Sequence, residues 1–583
     1  MIRVGSLLIF FAFALAFAPA FSKTNIPTQP EVATERNTDS PVTAKRFMIA
    51  AAHPLATKAG YEILRAGGSA VDAAVAVQMV LNVVEPQSSG IGGGAFMLHW
   101  DMNTRQLQAL DGREMAPAAA SPDYFLGPSG TPKSFWKAVV GGRSVGVPGT
   151  LRMLELAHHM HGRLPWAELF RPAIELAEKG FEISPRLAAS IASAKTKGLD
   201  AFPTTASYFL DSAGAPKLVG HRLVNAALAD TFRTVAKGGA DAFYMGAIAR
   251  EIIAAVSATP DNPGIMTLKD LASYRATIRE PICVSYRGDQ VCGMGPPSSG
   301  GLTVGQILGM LEYFDLPGIG PSAEAFHLFA EAGKLAYADR NLYIADSDFV
   351  RMPTKGLVDP AYVMLRAQAI RRDKAMPKAT AGNPPWRHAQ LWAPDTHPES
   401  AGTSHFVIRD AAGNAISMTT TIEMGFGSRV MVGGFLLNNE LTDFSFRATR
   451  DGRPIANRVE GGKRPRSSMA PTIVMRDGEP FLLIGSPGGS RIIAYVAQAL
   501  VAVLDWGFDP QAAVELGHVV NRNGTTDLEV GTNAAELAER FKALGHDVRL
   551  RDLTSGLHAI LIRPDGALIG GVDPRREGGA LGD

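Results

Sequence analysis

The chain has 583 residues, 46% of them hydrophobic and 19% charged, which is enough apolar material for a large core and excludes disordered, collagen-like and disulfide-scaffold classes. Its 57 Lys and Arg offset 56 Asp and Glu, so a net charge of +1 supplies no long-range field to gather nucleic acid or an anionic membrane. The expected partner is a small molecule.

Met1-Ile2-Arg3 places one positive charge ahead of an apolar run from Leu7 to Ala18, followed by Ala18-Pro19-Ala20 and Phe21-Ser22. This is the form of a signal peptide over residues 1–22, and the run is too short to span a bilayer. It predicts an exported protein, periplasmic or secreted. Residues 23–45 are polar, with scattered Pro and Thr, and read as a flexible leader. Leu55, Ala59 and Ile63 then recur at helical spacing from Pro54 to Arg65, and Ser69-x-x-Asp72 caps a second helix that runs toward Val84 and stops at Pro86. The glycines of Gly90-Ile91-Gly92-Gly93-Gly94 precede a strand, Ala95 to Trp100, so they do not form the strand-to-helix turn of a phosphate cradle.

Residues 150–260 and Ala323 to Tyr343 read as helical. Between them lie the only cysteines, Cys283 and Cys292, placed symmetrically about Arg287-Gly288. A two-residue turn there makes them a non-hydrogen-bonded pair of a hairpin, with a Cα separation of about 4.5 Å. An exported chain can join them as a disulfide, bury them as two thiols or use them as a metal or catalytic pair, and the sequence leaves the choice open. From Thr403 onward an antiparallel sheet is expected to begin. Ser404 to Arg409 and Ala415 to Thr421 flank Gly413-Asn414, and Thr472 to Met475 and Pro480 to Ser486 form a second hairpin. Helices are expected from Ser490 to Trp506 and Ala534 to Leu544, then closing strands at Val548 to Asp552, Leu557 to Ile562 and Ala567 to Val572. Helices segregated from sheet give an α+β layered sandwich.

Two tempting motifs have plainer readings. Gly142-Arg143-Ser144-Val145-Gly146 has serine-hydrolase spacing, but Pro148-Gly149 falls where a helix should already be running, so Ser144 reads as a turn residue. His158, His159 and His161 lack accompanying carboxylates and read as a helix end before Gly162. Asn523-Gly524-Thr525 is a glycosylation sequon in form only.

The chemistry concentrates in Gly402-Thr403-Ser404-His405-Phe406, with Thr421, Ser467-Ser468 and Gly485-Ser486-Pro487-Gly488-Gly489-Ser490 downstream. Together with Asn82 to Gly94, Asp111-Gly112-Arg113-Glu114 and Leu436 to Ser445, these segments resemble the γ-glutamyltransferase family of N-terminal nucleophile hydrolases over nearly the whole chain beyond the leader. The resemblance implies a four-layer αββα sandwich, made as one precursor and cut between Gly402 and Thr403 into a large piece, residues 46–402, and a small piece, residues 403–583, that pair as a heterodimer. Cutting frees the α-amine of Thr403, whose ordinary pKa of about 7.7–8.0 suits it to act as base for its own hydroxyl. No metal or organic cofactor is implied.

By the same carry-over, Thr421 hydrogen-bonds the nucleophile, and Gly488 and Gly489 aim backbone N–H groups at the oxyanion. Arg113, Ser467 and Ser468 hold the α-carboxylate of a glutathione-like γ-glutamyl donor, opposite Glu440 and Asp443, which receive its ammonium. The acceptor is water, an amino acid or a dipeptide. Two departures bear on the donor. Glu423 stands where the family often has asparagine, and the segment from Phe444 to Arg466, which carries a lid in other members, is short and without tyrosine, which implies a more open site. Alternative readings are a glutaryl-type cephalosporin acylase on the same scaffold and a non-catalytic periplasmic binding relative.

Overall fold

The computed structural model describes residues 40–387, 391–397 and 402–583, so the signal-peptide segment and most of the leader lie outside the described residues. Two seven-stranded sheets lie face to face. The first orders its strands Gly579–Gly582, Met48–Ala51, Thr403–Arg409, Ala415–Thr421, Gly94–Asp101, Gln106–Gly112 and Thr277–Arg279. The second runs Val42–Ala44, Leu568–Val572, His558–Ile562, Glu479–Gly485, Thr472–Arg476, Asp289–Gly293 and Ile282–Tyr286. Every strand pairing within these two sheets is antiparallel.

The period-2 alternation of these strands makes the layers. In the first sheet Ile49, Ala51, Met97, Phe406, Ile408, Ile416 and Met418 pack under the helices Pro54–Arg65 and Ala70–Val84, in one apolar core. The intervening Met48, Ala50, Phe96, Leu98 and Val407 join Ile473, Leu483, Ile484 and Ile560 of the second sheet in the other core. That core continues into the helices Gly300–Leu311, Ala323–Tyr343 and Ile492–Leu504. The result is the expected αββα sandwich.

Ser69 caps its helix as predicted, its hydroxyl accepting from Asp72 N–H while the Asp72 carboxylate accepts from Ser69 N–H. Cys283 pairs with Cys292 across the hairpin and their sulfurs are joined in a disulfide, which resolves the choice the sequence left open. Arg287 and Gly288 both have positive φ, 51° and 87°, the requirement of the tight turn between them.

Four expectations are corrected. Val42–Ala44 is no leader: it pairs with Leu568–Gly570 at the sheet edge, so the leader ends before residue 42. Sheet does not begin at Thr403, because strands from both halves of the chain interleave in each sheet, the one expected at Ala95 to Trp100 and the cysteine hairpin among them. The 534–544 helix is broken into Asn533–Glu536 and Ala538–Leu544. Val548–Arg551 leaves the main sheets to lie parallel to Thr526–Glu529 in a separate three-stranded sheet, while the unpredicted strand Gly579–Gly582 closes the first sheet.

Candidate active site

Thr403 is the first residue of its strand and sits directly across from Thr421, the last residue of the neighbouring one. Alternation turns Thr403, His405, Ser417, Thr419 and Thr421 toward the second sheet, where the Ser417 hydroxyl donates to Ile484 O at 2.9 Å. Ser404 faces the helical layer instead and donates to the Glu85 carboxylate at 2.6 Å. The nucleophile candidate therefore stands between the sheets at one end of the sandwich. Opposite it, the Glu479–Gly485 strand of the second sheet delivers the loop with Gly488 and Gly489 at the entry to the Ile492–Leu504 helix.

The Thr403 and Thr421 hydroxyls are 3.4 Å apart, and Thr421 Oγ1 donates to Gly402 O at 2.9 Å while accepting Glu423 N–H at 2.7 Å. One hydroxyl thus touches both the Thr403 hydroxyl and the carbonyl of the Gly402-Thr403 bond. Gly402 itself is packed against the 423–425 turn: a Cβ there would lie 2.6 Å from both Glu423 O and Gly425 N. Close backbone approach, more than access for an incoming oxygen, requires glycine at this position.

A small cavity of about 20 Å³, close to the space of one water, is lined by Arg113, Thr403, Thr421, Glu423, Glu440, Asp443, Ser467, Ser468, Met469, Gly489 and Ile492. All the sequence-predicted catalytic and substrate-binding residues except Gly488 meet there, although they come from six separate chain segments. Gly488 precedes Gly489 with φ 136°, a conformation that glycine permits, and its Cα faces the Tyr495 ring.

One arrangement differs from expectation. Glu440 and Asp443 were expected opposite Arg113, but the buried guanidinium is closed onto both, pairing with Glu440 and donating from Nη2 to Asp443 at 2.6 Å. The reason is electrostatic: charges removed from water take partners. Burial would lower the Arg113 pKa, yet Glu440, Asp443 and Glu114 together raise it. Burial also drives the Glu440 carboxyl well above its ordinary value, with Glu114 and Glu423 adding repulsion and Arg113 opposing them. Glu114 is pushed up to about 7 by burial, against the pull of Arg113. A zwitterion with carboxylate and ammonium on one carbon can enter by exchange, its carboxylate taking the arginine and its ammonium the acids.

Sequence reasoning missed three contributors. Arg340, in the Ala323–Tyr343 helix, donates to Ser468 Oγ at 2.6 Å and to Ser299 Oγ at 2.8 Å, aiming the serine pair. Glu114 adds negative charge 3.7 Å from Arg113. Arg576 reaches from beyond the Leu568–Val572 strand to the main chain of Thr403. Only Glu114, inside a quoted motif, had any sequence signal. Glu423 is tied to Asn439 Nδ2 and has φ 74°, so a left-handed turn fixes its side chain at the cavity wall.

Elsewhere the plain readings hold. Ser144 Oγ donates to Val139 O and Gly141 O, and His158 and His161 contact Leu164 O and the Gln108 side chain. Among the described residues one buried group, His327, Glu331 and His546, has metal-ligand types in proximity. There the Lys334 ammonium lies 2.8 Å from Glu331, already occupying the place of a cation.

Against this geometry, the sequence profile of the family described as Gamma-glutamyltranspeptidase matches residues 56–583. The chain belongs to that family. It is 40% identical over 552 residues to the glutathione hydrolase proenzyme of Bacillus subtilis (strain 168), covering 92% of each chain. It is 39% identical over 578 residues to that of Escherichia coli (strain K12), covering 96% of each. A cephalosporin acylase crystal structure from Bacillus halodurans superposes with a TM-score of 0.82 at 27% identity, covering 96% of this chain and 99% of that one.

Proposed function

We propose that this family member is a self-processing γ-glutamyl hydrolase and transferase that cleaves glutathione and related γ-glutamyl compounds. The observation that carries the reading is the pair of contacts made by Thr421 Oγ1, to the Thr403 hydroxyl and to the carbonyl of the Gly402-Thr403 bond. Relatives carrying the word proenzyme in their names support a chain that is made whole and then cut.

The first reaction is an N-to-O acyl shift. Thr403 Oγ1 attacks Gly402 C, Thr421 stabilises the oxygen as it gains charge, and the proton leaving Oγ1 passes to the nitrogen as the C–N bond breaks. Water then hydrolyses the ester, leaving a carboxylate on Gly402 and a free amine and hydroxyl on Thr403. In turnover that amine takes the Oγ1 proton, Oγ1 attacks the donor γ-carbonyl, and the Gly488–Gly489 N–H groups face the oxyanion. The same proton goes to the departing amine, and the acyl-threonine is released to water or to an amino-acid or dipeptide acceptor.

The cut is also what makes room. A cavity of about 20 Å³ cannot hold a glutamyl group, whereas departure of Gly402 from the 423–425 turn opens it toward Thr403. A glutaryl donor, the alternative raised by the sequence, has no ammonium and would offer Glu440 and Asp443 no cation in place of Arg113 once its carboxylate took that arginine. Export rests on the residue 1–22 pattern, with the mature chain in the periplasm or medium. Intact-mass measurement of purified protein should show one piece ending at Gly402 and one starting at Thr403, and the pair should hydrolyse γ-glutamyl-p-nitroanilide faster than glutaryl-p-nitroanilide. A chain that stays whole, or a faster glutaryl donor, overturns the assignment.

A further inference from the structure

Arg576 lies seven residues before Asp583, outside every motif that marks the site, yet it contacts the nucleophile across 173 residues. Its buried guanidinium donates from Nη1 to Thr403 O at 3.0 Å and from Nε to Ser555 O at 2.7 Å. The far anchor is itself fixed. Ser555 Oγ donates to the Asp573 carboxylate and contacts His518 Nε2 at 2.6 Å, while Leu557 N–H and Arg575 Nη1 also donate to Asp573, each at 3.0 Å. Arg576 therefore joins the first residue of a strand in one sheet to a rigid loop of the other.

This contact matters most after the cut. A new N-terminal residue has lost its covalent tether on one side, and its amine and side chain then turn together about the Cα–C bond relative to the carbonyl. A donor bound to the carbonyl oxygen restrains that rotation. The amine is three bonds from the clamped oxygen, which puts the guanidinium on the order of 6 Å from it, inside the range where one charge shifts another group's protonation.

We propose that Arg576 is a positioning residue for the nucleophile: it fixes the carbonyl of Thr403, sets the direction in which the amine and hydroxyl together face the donor, and by its charge disfavours protonation of that amine. The inference rests on the threonine-nucleophile reading above and adds to it the group that tunes the base.

The other charges near the amine make such a cation useful. From the cavity side Glu423 and Asp443 face it and favour the ammonium, the Glu440 carboxyl, its pKa raised by burial, adds less, and Arg113 is committed to Glu440 and Asp443. On the helical side Glu85 is paired with Arg186, whose backbone N–H is held by Glu577. His405 on the same strand and His558 on the facing sheet are kept neutral, the first well below its ordinary pKa and the second down at about 4, chiefly by burial. Arg576 is the cation attached to the nucleophile's own backbone.

The test compares Arg576→Met and Arg576→Lys with the wild type as mature two-piece enzymes, measuring γ-glutamyl-p-nitroanilide hydrolysis from about pH 5 to 10. Loss of the charge in R576M should move the acid limb of kcat up by about one pH unit and lower kcat at neutral pH about tenfold, with KM within about twofold. R576K keeps the charge but cannot hold both carbonyls, so its plateau should fall while its acid limb stays in place. An R576M limb superimposed on the wild type overturns the proposal. Where R576M does not assemble, R576K decides alone: a lowered plateau with an unmoved limb supports the clamp, and a wild-type plateau refutes it. Absence of turnover in the wild type would count against the functional reading and is seen before either variant is compared.

Discussion

Replacing Thr421 by valine keeps the shape of the side chain and removes one oxygen with three contacts: it donates to Gly402 O at 2.9 Å, accepts Glu423 N–H at 2.7 Å and meets Thr403 Oγ1 at 3.4 Å. The three losses act differently. The orphaned Glu423 N–H is buried both before and during the reaction, so its cost of about 1–3 kcal/mol falls on stability and leaves the barrier alone. The donor to Gly402 O bonds an oxygen that becomes negative only as Thr403 attacks, so its loss falls on the barrier, at about 2.7–4 kcal/mol. Self-cleavage of Thr421→Val should therefore slow by about 100- to 1000-fold, while Thr421→Ser, which restores the hydroxyl, should stay much closer to the wild type. Refolding from denaturant starts the clock, and intact mass against time gives the uncut fraction. If T421V is cut within about threefold of the wild-type rate, the hydroxyl does not stabilise the scissile carbonyl and the processing mechanism fails.

Gly402→Ala puts a methyl 2.6 Å from backbone atoms of Glu423 and Gly425, so self-cleavage should slow by about tenfold or more, read by the same mass assay. The small piece that results is identical to wild type, and turnover per cut molecule should be unchanged. Cys283→Ser with Cys292→Ser releases a ten-residue loop that the disulfide closes, with an expected loss of about 3 kcal/mol measured by denaturant unfolding and no effect on cutting or turnover. Glu114 has a folded pKa raised to about 7, so the folded uncut chain binds its proton more tightly than the unfolded chain. That contribution is present at low pH and is lost as pH rises from the ordinary carboxyl range through about 7, and Glu114→Gln should flatten this part of the stability profile of cleavage-blocked Thr403→Ala. An unchanged slope would place the raised pKa elsewhere.

Much of the fold was legible because its signals are local. Ser69-x-x-Asp72 caps a helix by contacts three residues apart, and Arg287-Gly288 closes a hairpin through two adjacent torsions. The strands on either side of Gly413 were readable for the same reason, and they place Thr403 beside Thr421 by register alone. Strands such as Val42–Ala44 and Gly579–Gly582 escaped because what makes them strands is a partner far along the chain.

Motifs in sequence order, together with a family resemblance, named the threonine, the glycines and the charged residues of the pocket, since those are properties of residue type and spacing. Sequence could not say that Arg113 closes onto Glu440 and Asp443, that Arg340 aims Ser468, or that Arg576 holds the carbonyl of Thr403 across 173 residues. Those pairings follow from burial, which removes water as a partner and makes each charge and polar group bind whichever complement the packed sheets bring within reach.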